Sequence, residues 1–214
     1  MKRIVTISRE FASGGRSIGQ QVAKELGIDF YDKEIIDLSA EQSGLSADYI
    51  SKTEQTLSSS WIYSLVVGSA YSASSSVSAP TGSRLGMLPL ADQVFNAQRK
   101  VIIDLAKKGP CVIVGRCADY ILKHSEEVNQ HDVLNVFVYA PLADRVERAI
   151  KEFNFEPASA EKQVKQIDKR RGNHYNTFTE RTWGNRTHYD ILINSSLLGL
   201  EGTAHMISLL AQRT

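Results

Sequence analysis

From Arg9 to Ser17 the chain reads Arg-Glu-Phe-Ala-Ser-Gly-Gly-Arg-Ser, a run of small residues flanked by charge. The β-branched stretch Ile4-Val5-Thr6-Ile7 precedes it, and Ile18, Val22 and Leu26 follow at a spacing of four. A strand, a glycine-rich turn and a helix start in this order leave the first helical N–H groups unpaired and aim a positive dipole end into the turn. An anion fits there, and the spacing compares with the phosphate-loop pattern of Gly, four residues, then Gly-Lys-Ser/Thr. The frame here is Glu10, four residues, then Gly15-Arg16-Ser17, with Ser13, Gly14 and Gly15 forming the cradle. Arg16 keeps the cation but spreads it over a planar fork. Ser17 carries the hydroxyl that would meet a magnesium ion between phosphates. Glu10 repels a polyphosphate unless it points outward or pairs with Arg9 or Arg16. The bland alternative is a strand-turn-helix junction with a charged surface.

Such a loop needs a core to hold it. The chain has 214 residues, 42% hydrophobic and 23% charged, enough for one core or one core with a small lid. A formal net charge of +1 gives no global attraction to nucleic acid or membrane surfaces, so any basic patch is local. Cys111 and Cys117 have neither zinc nor disulfide-framework spacing, and His174, His188 and His205 have no metal-ligand spacing. No apolar run is long enough to span a bilayer, and the expectation is a cytoplasmic protein.

The remaining pattern alternates strands and helices. Helices are expected from Ser17 to Leu26, from about Lys33 to Gln42, shortly after Ser46 through Thr53, from about Leu90 to Lys108 and from Leu142 to Phe153. Another helical segment carries Lys165 to Arg171, and a closing helix spans about Thr203 to Gln212. Strands are expected at 29–32, 111–114, 133–139 and 190–193, with 111–114 apolar throughout as in a sheet covered on both faces and 133–139 also buried. Right-handed crossovers then make an α/β protein with a central parallel sheet, and ligands gather at the strand C-terminal ends. The serine-rich tract 58–86 carries Trp61, Ile62, Tyr63, Leu65, Val66, Val67 and Tyr71. That composition fits a lid, a partner contact giving a homodimer, or a helix packed on the core before a loop.

Basic residues converge on those strand ends. The second strand delivers Asp32-Lys33, the third Gly115-Arg116, and the fourth opens onto the helix bearing Arg145 and Arg148, three apart on one face. Lys165, Lys169, Arg170 and Arg171 follow, with Asp168 among them. Phosphoryl transfer needs such a set, because its transition state spreads negative charge over three oxygens. Each residue also has a plainer reading. Asp32 caps the helix at Lys33, Arg116 is a surface residue on a turn, and 165–171 is a solvated helix face. Tyr175, Phe178 and Trp183 read as lid packing rather than as a stacking platform.

The loop, the Gly-Arg strand end and the basic lid together resemble the nucleoside monophosphate kinases, and within them the cytidylate kinase-like group. The resemblance runs through 7–16, Phe30-Tyr31-Asp32-Lys33-Glu34-Ile35-Ile36, Val112-Ile113-Val114-Gly115-Arg116, Asp168-Lys169-Arg170-Arg171 and Tyr189 to Asn194. It implies a P-loop NTPase-type, three-layer αβα domain over 1–214, with a helical acceptor-binding insert at 33–90 and a lid at 154–186. It implies ATP as donor with Mg2+ at Ser17, and donor phosphates on 13–17 and on Arg145 and Arg148. Asp32, Arg116, Asp168 and Arg171 would hold the acceptor, and Arg16, Arg170 and Arg171 would act in catalysis. The chain departs from that pattern with Arg16 for lysine, Cys117 for an aspartate, and Lys33-Glu34 for the residues after Asp32. Two functions follow: a kinase acting on a small acceptor, most simply a nucleoside monophosphate such as CMP, or a nucleotide-binding regulatory protein with little transfer activity. Nucleic acid and membrane are not expected partners.

Overall fold

The β-branched runs form strands, and all of them lie in one sheet. In the computed structural model, which describes residues 3–48, 50–51 and 90–213, the strands are β1 (Ile4–Arg9), β2 (Asp29–Tyr31), β3 (Cys111–Val114), β4 (Val133–Tyr139) and β5 (Ile191–Asn194). Their order is β2-β3-β1-β4-β5, and every neighbouring pair is parallel. The helices described are α1 (Gly15–Leu26), α2 (Glu34–Ser43), α3 (Leu90–Lys108), α4 (Ala118–Lys123), α5 (Leu142–Phe153), α6 (Pro157–Thr179) and α7 (Ser195–Arg213).

Side-chain alternation along the strands sorts the helices onto two faces. Ile4, Cys111, Ile113 and Val133 face a core built with Ile35 of α2, Ile102 of α3, Leu122 of α4 and Tyr175 of α6. Val5, Ile7, Val112, Val114 and Val136 face the opposite core, with Ile18 and Val22 of α1 and Ala204, Ile207 and Ala211 of α7. The result is the three-layer αβα arrangement expected. One buried polar pair crosses the sheet centre, where Thr6 Oγ1 donates to Asn135 Oδ1 at 2.7 Å.

Differences from the sequence reading have local causes. Helix α1 starts at Gly15, two residues early, because Gly14 takes a left-handed φ of 82° and turns the chain directly into the helix. The closing helix starts at Ser195 rather than Thr203, since a break at Gly199 (φ 67°, ψ 178°) interrupts its periodicity. Helix α4, with 6 residues, is too short for periodicity to reveal. The segment expected as a lid folds as one 23-residue helix, α6, opened by Pro157 in its first turn. Ala47, Asp48, Ile50 and Ser51 are helical as expected. The expectations for Tyr49, Thr53 and the tract 58–86 lie outside the described residues. No helix among the described residues is long and apolar enough to cross a membrane.

Ile113 of β3 is fully buried. Ile113→Ala is expected to lower stability by about 3–4 kcal/mol, read from urea unfolding midpoints, with no change in the far-UV spectrum of the folded protein.

Candidate active site

Parallel topology brings the C-terminal ends of β1, β3 and β4 to one edge, and the loop of residues 10–14 begins where β1 ends. Ser13 is fully buried. Its hydroxyl donates to the Glu10 carbonyl at 2.9 Å and the Val138 carbonyl at 3.2 Å, which pins the loop to the end of β4. Gly14 precedes α1 with no side-chain cap on the helix, so the first-turn N–H groups keep their capacity for an anion. A Cβ on Gly14 would collide with Leu200, and one on Gly15 would lie 2.5 Å from the Arg9 Cβ. Glycine is required at Gly15 by that contact and at Gly14 by its left-handed φ of 82°. Ser17 is exposed on the first turn of α1.

Three arginines grip the outside of this loop through its carbonyls. Arg171 Nη1 donates to the Arg9 carbonyl at 3.1 Å, Arg145 Nη1 to Phe11 at 3.3 Å, and Arg148 Nη1 to Ala12 at 2.6 Å. Arg145 is buried, and it also pairs with Asp168, lies 3.2 Å from Glu10 Oε2 and donates to the Ala140 carbonyl at 3.0 Å. Asp168 in turn accepts from the Phe11 N–H at 2.7 Å. Arg145 and Arg148, expected on donor phosphates, are thus engaged with the loop backbone. Asp168 and Arg171 likewise join α6 to the loop. Glu10 points away from the cradle, and its partner is Arg145 rather than Arg9 or Arg16. Burial raises the Glu10 pKa, with Arg145 and the Ala140 N–H opposing. Burial also pulls the Arg171 pKa down, against Asp168 and Asp32.

A second arginine group surrounds Asp32. Arg16 Nε donates to Asp32 Oδ2 at 2.8 Å, Arg116 Nη1 donates to the Asp32 carbonyl at 2.5 Å and lies 3.5 Å from Oδ1, and Arg9 Nη2 lies 3.7 Å from Oδ1. Asp32 does not cap α2, whose N-cap residue is Lys33. Arg116 is not a surface residue on a turn, because a left-handed φ of 51° turns it inward to only 10% side-chain exposure. The 165–171 run divides by face. Lys165 pairs with Glu161 at the surface, whereas Arg170 and Arg171 line a cavity.

That cavity, of about 370 Å³, lies between the ends of β1 and β3 and helix α6. Arg9, Arg116, Arg170 and Arg171 line it together with Ser8, Cys117, His174, Tyr175 and Trp183. Arg170 is exposed at its edge. Behind the wall, buried Asp119 accepts from Tyr175 Oη at 2.7 Å and from Ser8 Oγ at 3.3 Å. Burial raises the Asp119 pKa and also that of Tyr175. Of the three aromatic residues read as lid packing, only Phe178 has packing alone, stacked on Phe95 at 4.4 Å. Tyr175 and Trp183 face the cavity. Arg9, Ser8 and Asp119 went unsuspected as site residues; the one available signal was an aspartate just past a buried strand end.

A sequence model of the cytidylate kinase-like family matches residues 4–197. The chain belongs to that family. No curated protein matches it by sequence. Among solved structures it is similar to an uncharacterized protein from Eubacterium ventriosum, at 21% identity and a TM-score of 0.67 with 99% of each chain covered. It is also similar to shikimate kinase from Acinetobacter baumannii in complex with shikimate, at 14% identity and a TM-score of 0.50, covering 99% of this chain and 94% of that one. The fold of this family member is therefore that of the P-loop kinases.

Asp119 provides a pH test. Its folded-state pKa lies above the ordinary 3.8, so the native state holds this proton more tightly than the unfolded chain. Its contribution favours folding at low pH and declines as pH rises through the raised value. The stability of wild type relative to Asp119→Asn is expected to fall as pH rises above the ordinary 3.8, measured by urea unfolding at each pH. A difference that is flat or rises with pH would contradict the assignment.

Proposed function

We propose that the protein is a small-molecule kinase that moves the γ-phosphoryl group of ATP to an anionic acceptor, a nucleoside monophosphate such as CMP. One observation carries this reading: a cavity lined by four arginines and no carboxylate, which shares Arg9 with the loop before an uncapped helix start. Donor phosphates would lie on the N–H groups of 13–17, with Arg16 leaving Asp32 to meet them. The acceptor would enter the cavity against Arg116, and Arg170 would meet the transferring group from α6. An acceptor phosphate oxygen bonds to the γ-phosphorus as the bond from that phosphorus to the β,γ-bridging oxygen breaks, and ADP leaves with the electron pair. A phosphate monoester dianion has no proton to lose in this step, so positioning and charge stabilisation suffice.

The Ser17 hydroxyl is suited to a magnesium ion held mainly by substrate phosphates, and no cluster of metal-binding side chains exists among the described residues. Magnesium would neutralise charge on the β- and γ-phosphates. Arg145, Arg148, Arg171 and Asp168 are positioning residues in this reading, acting through the loop. The Arg16–Asp32 pair favours a second reading, a regulatory nucleotide binder in which Arg16 never transfers to phosphate.

Incubation with ATP, Mg2+ and cytidine, deoxycytidine, uridine, adenosine or guanosine monophosphate separates the two when ADP, diphosphate product and nucleotide binding are all followed. Turnover with one acceptor is expected. Binding without turnover on any of them would favour the regulatory reading. Arg16→Ala and Arg170→Ala are each expected to lower kcat/KM by about 10²–10³-fold, the scale for losing one preorganised charge at a transition state.

A further inference from the structure

Arg9 has a setting that no other cation of the site shares. Its backbone closes β1 and opens the loop, while its side chain reaches the acceptor cavity. Two glycines from distant parts of the chain make room for it. Gly15 of α1 packs on the stem, where a Cβ would lie 2.5 Å from Arg9 Cβ and 2.8 Å from Cγ. Gly115, past the end of β3, packs on the guanidinium, and a Cβ there would collide with Nη1. The Arg171 guanidinium holds the Arg9 carbonyl, and Asp32 Oδ1 stands 3.7 Å from Nη2. The result is a guanidinium fixed in a slot between the loop and the cavity, 20% exposed.

We propose that Arg9 is a catalytic residue that touches the phosphoryl group in transit, bridging donor and acceptor. This rests on the kinase reading above. A fixed fork of N–H donors between the two sites meets the equatorial oxygens while the new P–O bond forms and the bond to the bridging oxygen breaks, and it needs no reorganisation at that moment. Arg16 is hydrogen-bonded to Asp32 and does not line the cavity, so it has to move, whereas Arg9, 3.7 Å from the same carboxylate, already lines it. Gly115 serves two ends, a left-handed φ of 78° and an open slot, and a methyl group there would push the flexible end of Arg9 out of it.

The test compares wild type with Arg9→Ala, Gly115→Ala and the double variant. Turnover is measured with ATP, Mg2+ and the best monophosphate acceptor, and calorimetry gives affinities for ADP·Mg and for a non-hydrolysable ATP analogue with Mg2+. Arg9→Ala is expected to lower kcat by about 10²-fold or more with ADP affinity changed less than about 3-fold, and to abolish the preference for the triphosphate analogue over ADP. Gly115→Ala should reproduce both effects, the double variant should be no worse than Arg9→Ala, and millimolar guanidinium should restore part of the turnover of Arg9→Ala. A kcat within about 3-fold of wild type, or an intact triphosphate preference, overturns the proposal. Multiplying losses in the double variant overturn the slot. The binding arm needs no turnover: a wild type that binds nucleotide but transfers to no acceptor defeats the kinase reading, while the triphosphate preference still decides whether Arg9 meets the terminal phosphate. A protein that binds neither nucleotide overturns both.

Discussion

The site depends on arginines that hold backbone carbonyls. A loop that presents N–H groups to an anion has to turn its carbonyls the other way, and each one turned inward would repel the ligand. Arg145, Arg148 and Arg171 take the carbonyls of Phe11, Ala12 and Arg9 from outside. Arg145 is itself fixed by Glu10 and Asp168. Removing one member of such a buried set leaves the others charged and unpaired, at a cost of about 3–5 kcal/mol. Glu10, which looks hostile to phosphate in the sequence, is the counter-charge that lets Arg145 stay buried at the loop.

Charge is arranged in two tiers around this backbone. The outer tier, Arg145 and Arg148 with Asp168 and Glu10, is close to neutral and faces the loop's exterior. The inner tier surrounds Asp32 with Arg9, Arg16 and Arg116, and Arg170 and Arg171 extend it along the cavity wall. It carries a surplus of positive charge in a chain whose formal net charge is only +1. Low-dielectric walls concentrate that field in the cavity. The positive surplus is therefore local, and overall composition does not report it.

How much of this was legible follows from sequence separation. The loop was legible because strand, turn and helix start are contiguous, and Asp32 and Arg116 because each lies within two residues of a strand end. Arg145 and Arg148 were correctly placed on one helix face, but periodicity does not say which element that face meets, and it meets the loop backbone. Arg9 escaped notice because its setting requires Gly115, remote in sequence. The Tyr175–Asp119 bond spans 56 positions and was invisible for the same reason. The start of α7 was misplaced because Gly199 interrupts the apolar spacing on which the reading relied.

The break at Gly199 has a consequence for how the protein is made. It sets Leu200 against Gly14, and at the head of the same helix the Ser195 hydroxyl donates to the Ser13 carbonyl at 2.7 Å. The cradle is encoded within the first twenty residues, yet part of its support arrives about 180 residues later in synthesis. A nascent chain therefore carries an incompletely braced loop until those residues are made. Bracing of the loop and docking of α7 are thus a single event.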